Sequence, residues 1–508
     1  MRFPCKPLCA SFILAAKILP TSVKFAVTML PTLKSTTQDR HPEGTDWDEE
    51  YAYSLGVQAY IWGFPWILLS QLAWLWSSPE GKALIEEKGI KAPWAPMNSF
   101  FNSPSLATPE DQTGGSPNCD TLYSTAWLNL TAEPLVLSVP EVADRFYSLQ
   151  IACASSDNFA YVGLLATGPQ AGNYLLALPG WQGHVPNDVH DILPRSPTPV
   201  VFILGRTGVN NKTQADLDKA HEVQSGYKLT PLSRWLDPNL PTETPPKAIA
   251  PVGFEYTDTT GAWLTLNRSM TQNSPVGLPG VNQEGMVNLF ATIGVGPNQE
   301  VGLQSHATQL GLKRAAEDGL KLLRSMSKGL GKQVNNWNYP PLDYGRAGYV
   351  GDYITRSALQ ALGGIIANDP NEAVYLNTTV DSNGDQLFSS KSYSITFDSI
   401  DSTFPPIVSG FHGFWSITMY GSDYNLAKGS DHYSINSYYP EYQERGEDGT
   451  LTILIQPTQP TSQNGVYWLQ TPDPAKAETF FLVLRVYVPG PEVSATQTWK
   501  PPLINPQP

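Results

Sequence analysis

Between Asn118 and Gly163 the chain gathers side chains that can titrate or hydrogen-bond. Asn118-Cys119-Asp120-Thr121-Leu122-Tyr123 stands at one end of this stretch and Asp157-Asn158-Phe159-Ala160-Tyr161 at the other. Asp120, Asp157 and Tyr123 are the candidate catalytic residues, because a carboxylate beside a phenol can take up and return a proton. Asn118, Asn158, Tyr161 and Arg206 are candidates for binding a substrate. Arg206 follows the apolar run Pro199 to Leu204, and an arginine just after a buried strand can reach a carboxylate, either a ligand's or that of Asp120 or Asp157. A structural ion pair is the competing account. Asn and Asp here also suit plain turns, in which the side chain bonds its own backbone.

These residues need a frame. Thr125 to Leu130, Leu135 to Val139 and Phe146 to Cys153 have the apolar, strand-like character that places polar groups at the mouth of a rigid sheet. Asp46 to Trp76 is expected to be helical, with a kink or restart at Pro65, which cannot donate a backbone hydrogen bond. The aromatics of Trp62-Gly63-Phe64-Pro65-Trp66 suit either a pocket lining or burial against a sheet, and burial is preferred. A helical block follows, over Met286 to Ile293, Gln299 to Leu310, Lys313 to Leu330 and Gly348 to Gly364, with Gly and Pro at the breaks. Within it Asp352 and Arg356 stand four apart and can pair on one helix face. From Tyr375 onward the period returns to that of strands, separated by turns such as Glu447-Asp448-Gly449.

The resulting expectation is a mainly β protein with a helical block and two β-rich, jelly-roll or sandwich-like domains. The divisions are a targeting or disordered segment over 1–45, an N-terminal β-rich domain over 46–237 and a linker and connecting segment over 238–284. The helical block over 285–370 and a C-terminal β domain over 371–508 complete the chain. A length of 508 residues calls for more than one core, and 45 Pro and 41 Gly scattered between apolar runs read as turns. A net charge of −14 disfavours nucleic acid and anionic membranes as partners, and neither apolar run near the N-terminus is long enough to span a bilayer. Arg2, Lys6 and the run Leu8 to Ala16 resemble a secretory signal interrupted by Lys17, so localisation is left open between secretion and other routes. Cys119 and Cys153 suit either a disulfide, if the protein is extracellular, or two buried thiols.

Common chemistries lack their motifs. The seven His form no His-x-His or His-Glu-x-x-His arrangement, so no metal site is assigned, and there is no phosphate-cradling Gly-Lys-Ser/Thr loop, dinucleotide fingerprint or Gly-x-Ser-x-Gly elbow. No cofactor is expected.

Tyr60-x-x-Gly63-x-Pro65, Asn118-x-Asp120-Thr121-Leu122-Tyr123 and Arg206-Thr207 resemble the domain of unknown function numbered 1254. Phe414-Trp415-Ser416-Ile417-Thr418-Met419-Tyr420, Asp448-Gly449-Thr450-Leu451 and Arg485-Val486-Tyr487-x-Pro489 resemble its usual partner, the domain of unknown function numbered 1214. The resemblance implies a β-rich, jelly-roll-like two-domain protein that tends to oligomerise, and it brings no agreed reaction. Two functional expectations follow. One is a cofactor-independent enzyme acting on a small organic molecule by hydrolysis, lyase or isomerase chemistry in secondary metabolism. The alternative is a non-catalytic ligand-binding or structural homo-oligomer.

Overall fold

In a computed structural model, residues 46–507 are described apart from 112–114, 242–243, 252–258, 281, 363, 399–402 and 430. The expected targeting segment over 1–45 therefore lies outside the described residues. The first described element is a 31-residue helix, α1 (Trp47–Ser77), capped by the Asp46 carboxylate on the amide of Asp48. It runs on through Pro65, where a kink or restart was expected. Proline leaves the carbonyl of residue i−4 without its helical donor. Here that carbonyl, of Ile61, accepts from Ser357 Oγ at 2.5 Å, and the next one, of Trp62, accepts from the Arg356 guanidinium. Trp62, Phe64 and Trp66 are buried, and Trp62 stacks obliquely on Phe290.

The N-terminal half carries β1 (Phe101–Asn102), β2 (Thr121–Asn129), β3 (Leu135–Val139), β4 (Tyr147–Cys153), β5 (Asn158–Gly163), β6 (Gly172–Leu176), β7 (Val200–Gly208) and β8 (Lys228–Pro231). Helices α2 (Thr259–Gln272), α3 (His306–Met326) and α4 (Tyr353–Leu362) follow. The segment read as a linker thus contains a helix, α2, which packs into the main core through Trp263, Leu266 and Met270. The second half carries β9 (Lys332–Val334), β10 (Trp337–Tyr339), β11 (Ala373–Thr378), β12 (Tyr393–Phe397), β13 (Trp415–Gly421), β14 (Ser434–Asn436), β15 (Leu451–Gln456), β16 (Val466–Gln470), β17 (Phe480–Tyr487) and β18 (Asn505–Pro506).

The protein is mainly β with a helical block, as expected, and its two halves repeat one plan. The first has a five-stranded sheet β1-β2-β7-β4-β5 and a smaller sheet β6-β3-β8. The second has β14-β13-β17-β11-β10-β9 and β16-β15-β12-β18. In each, the last long strand (β7 or β17) inserts between the first and second long strands (β2 and β4, or β11 and β13). In each, the intervening strands (β3 with β6, or β12 with β15) pair antiparallel in the second sheet. One face of the first large sheet, with Leu128, Leu149 and Ile203, packs in the same core as α1 and α3. One face of the second, with Leu376, Ile417 and Leu484, packs in a core with Ile395 and Ile453 of the smaller sheet. The opposite faces are more polar and are tied to each other.

Candidate functional site: the seam between the two large sheets

Strand register puts Arg206 in the middle of the first large sheet, with Tyr123 opposite it on β2 and Ser148 opposite it on β4. The second sheet has the same row: Arg485 in the middle, Tyr375 on β11 and Ser416 on β13. Side chains directly opposite in antiparallel strands share a face, so each row projects as one unit. The carboxylates cross between the rows. Ser416 Oγ donates to Asp120 Oδ2 at 2.6 Å, and Ser148 Oγ donates to Glu372 Oε2 at 2.7 Å. Each serine thus serves the acid that precedes the other sheet's tyrosine by three residues.

The acids differ in how fully they are occupied. Asp120 is 1% exposed and also accepts from Asn436 Nδ2 at 3.0 Å, so both of its oxygens are engaged. Burial raises its pKa, while the charge of Arg485 and the bonds from Ser416 and Asn436 pull it back. Glu372 is 4% exposed, and Oε1 has no hydrogen-bond partner among the described residues. Burial pushes its carboxyl up to about 7; the Ser148 bond opposes this, the Asp369 charge adds to it and that of Arg206 opposes it. A carboxyl with a free oxygen that titrates near neutrality has the properties a general acid or base needs.

The arginines are buried without direct counter-charges. Among the described residues neither has a carboxylate within salt-bridge distance. Arg206 gives Nη1 to Gln150 Oε1 at 2.8 Å and to Asn368 Oδ1 at 3.3 Å, leaving Nε and Nη2 unpartnered. Arg485 gives Nη2 to the Ser116 carbonyl at 2.9 Å and to Tyr420 Oη at 2.7 Å, and its Nη1 is buried without a partner. The hydroxyls of Tyr123 and Tyr487 lie close enough to act on both guanidinium charges. Tyr487 Oη is also buried and unpartnered.

Of the residues singled out from sequence, Asn118, Asp120, Tyr123 and Arg206 stand in the seam. Asn118 is an Asx-type turn residue whose Oδ1 accepts from the amides of Asp120 and Thr121, while its Nδ2 donates to Tyr123 Oη at 3.0 Å. Asn158 and Tyr161 join through Gln150, whose Nε2 donates to Asn158 Oδ1 at 2.8 Å. Together they pin the segment before β11: Asn158 Nδ2 reaches Asp369 Oδ1 at 2.9 Å and Tyr161 Oη accepts from the Asp369 amide at 2.8 Å. Asp157 belongs to another network. It accepts from Ser155 Oγ and the Gly348 amide at 2.7 Å each and pairs with Arg356 at 3.4 Å. Arg356 therefore spends its charge on Asp157, and Asp352 instead accepts from the Thr355 amide at 3.0 Å. Cys119 and Cys153 are free, buried thiols.

Glu372, Tyr375, Asn368, Tyr487 and Arg485 were not singled out as site residues from sequence. A signal existed: Asp120-Thr-Leu-Tyr123 at the start of β2 has its counterpart in Glu372-Ala-Val-Tyr375 at the start of β11. Two hollows lie elsewhere. One of about 20 Å³, touching Ser70, Cys153 and Ser269, has room for little more than a water. The other, an open depression of about 320 Å³ at Gly410, His412 and Tyr438, has its imidazole bonded through both nitrogens, to Tyr438 Oη at 2.6 Å and the Ala143 carbonyl at 2.8 Å. Among the described residues no group of three or more His, Cys, Asp or Glu side chains could hold a metal ion, and no helix is long and apolar enough to cross a membrane.

These features define a two-domain β protein whose polar constellation is shared between its halves. Residues 97–231 match the family described as Protein of unknown function (DUF1254), and residues 372–491 match Protein of unknown function (DUF1214). The chain belongs to the family that joins these two domains. Its fold is similar to that of the VPA0106 protein from Vibrio parahaemolyticus, at 20% identity and a TM-score of 0.64, covering 90% of this chain and 100% of that one. An uncharacterised protein from Burkholderia cenocepacia matches at 12% identity and a TM-score of 0.40 over 91% of this chain and 94% of that one. No curated protein matches the chain.

Proposed function

We propose that the protein is a cofactor-independent enzyme that moves a proton on a small organic molecule held in the seam, with Glu372 as general acid or base. The observation that carries this reading is the free Oε1 of a buried carboxyl poised near neutrality, in a seam where two guanidiniums also have unused N–H groups. Tyr123 and Tyr375, both half-buried, are the residues through which a ligand would meet solvent. Asp120, with both oxygens engaged, is cast as the group that fixes β2 against the second sheet. Proton transfer of this kind suits isomerase, lyase or hydrolytic chemistry in secondary metabolism alike.

The test is turnover of a metabolite library, followed by mass spectrometry, for the parent and Glu372→Gln. Gln keeps the shape and can still accept from Ser148, so the variant is expected to fold and to lose turnover by about a hundredfold or more. Equal turnover would remove Glu372 from the chemistry and leave the non-catalytic, ligand-binding reading. A homo-oligomeric state remains part of the proposal, and light scattering at the monomer mass would reject it.

A further inference from the structure

Apart from Glu372 Oε1, the unused hydrogen-bonding groups of the seam are donors, and their orientations are fixed. Asn118 Oδ1 takes two backbone amides, so its Nδ2 must be the group facing Tyr123, and the Tyr123 hydroxyl accepts. Asn368 Oδ1 takes an Arg206 N–H, so its Nδ2 faces the Tyr375 hydroxyl, which accepts at 2.5 Å. Each phenol receives a hydrogen bond and keeps its own O–H proton, for which no acceptor occurs among the described residues. Tyr487 Oη and Arg485 Nη1 are buried with no partner, and Arg206 Nε and Nη2 are unused. Three phenolic donors and the unused N–H groups of Arg206 and Arg485 therefore stand against a single free acceptor, Glu372 Oε1. Two of these donors, Tyr487 Oη and Arg485 Nη1, are buried, and a buried donor without an acceptor is costly, so the pair of them beside the other unused donors points to a missing partner rather than to chance.

We infer that the seam binds a small organic carboxylate, whose oxygens accept from Arg206, Arg485 and the hydroxyls of Tyr123, Tyr375 and Tyr487. The guanidinium fork matches a planar two-oxygen anion. Charge points the same way: neither guanidinium has a carboxylate within salt-bridge distance among the described residues, Asp120 beside Arg485 has both oxygens engaged, and burial holds Glu372, near Arg206, partly protonated. The inference names the substrate class for the enzyme proposed above, and it rests on that reading only in placing the ligand beside Glu372.

Binding is measured at fixed ionic strength by calorimetry and melting temperature, using a panel of small mono- and dicarboxylates that includes benzoate, propionate and succinate. Benzamide and propionamide are the neutral controls, and sulfate and phosphate the inorganic ones. At least one carboxylate is expected to bind saturably and to outcompete its amide and both inorganic anions. Arg206→Gln should weaken it tenfold or more. Tyr487→Phe, which removes an orphaned hydroxyl and is expected to fold at least as well as the parent, should weaken it severalfold. Glu372→Gln should retain it. The inference is overturned if no acid in the panel binds, if amides or sulfate bind equally well, or if Tyr487→Phe and Arg206→Gln bind like the parent. A carboxylate bound in the seam but processed equally by Glu372→Gln would defeat the enzyme reading alone. A neutral substrate whose turnover is lost in that variant would defeat the carboxylate inference alone.

Discussion

At Glu372, burial works against ionisation, and the sign of the resulting pH dependence is fixed. The folded-state pKa of about 7 lies above the ordinary 4.5, so between those values the folded protein binds more protons than the unfolded chain. Stability from this group is complete below about pH 4.5 and is lost as pH rises through 7, by roughly 3 kcal/mol in all. Glu372→Gln should flatten that fall in urea denaturation carried out across pH 4.5 to 8. An unchanged slope would show that Glu372 does not titrate in this range. Asp120 behaves differently because both oxygens accept hydrogen bonds beside Arg485. In Asp120→Asn the amide oxygen can keep the Asn436 donor only if Ser416 Oγ turns to accept from the new N–H₂, and the negative charge near Arg485 is lost. A destabilisation of about 2 to 4 kcal/mol is expected, measurable by chemical denaturation. At this scale the sequence was half legible. Asn118, Asp120, Tyr123 and Arg206 drew notice because they cluster around one stretch. Their counterparts near residues 368–375 and 485 lie far along the chain, and only strand register reveals that Tyr375 and Arg485 repeat Tyr123 and Arg206.

Among the elements, long periodic segments were readable and their interruptions were not. Asp46 to Trp76 was expected as a helix with a kink or restart at Pro65, and the helix continues through that residue without restarting. The hydroxyl that satisfies the freed Ile61 carbonyl comes from Ser357, nearly three hundred residues away, and the neighbouring Arg356 guanidinium adds a bond to the Trp62 carbonyl. The sequence pattern, read as Gln299 to Leu310 and Lys313 to Leu330, likewise interrupts at Gly311 what is one continuous helix, α3. That glycine is an approach point rather than a break: a Cβ there would come 2.2 Å from the Glu49 carbonyl oxygen of α1. Arg314, one turn on, joins the two helices by reaching Glu49 and Glu50 at 2.6 and 2.7 Å. Gly311→Ala should therefore destabilise the protein by about 1 to 3 kcal/mol by forcing α1 and α3 apart, despite alanine's better helix propensity. Thermal unfolding of the variant at or above the parent's midpoint would show that the helices can separate without cost.

For the whole molecule, the halves share strand order but not independence. Helices α2 and α3 follow the first half in sequence yet share the core of α1. A fragment of residues 46–237 should therefore lack native circular dichroism and cooperative melting when expressed alone, because one side of α1 and the polar face of the first sheet would be bare. A cooperatively folding fragment would refute this. The crossed arrangement of Asp120 on Ser416 and Glu372 on Ser148 has a consequence for recombination between relatives. Each half carries an acid whose solvation is encoded in the other half's gene segment, so inheritance of the two segments is coupled. A chimera that joins a first half with an alanine at the Ser148 position to a second half with Glu372 should be a poor hybrid even if both parents are stable. Restoring that one serine should recover much of the loss, and library shuffling between such relatives would return survivors in which serine and acid travel together.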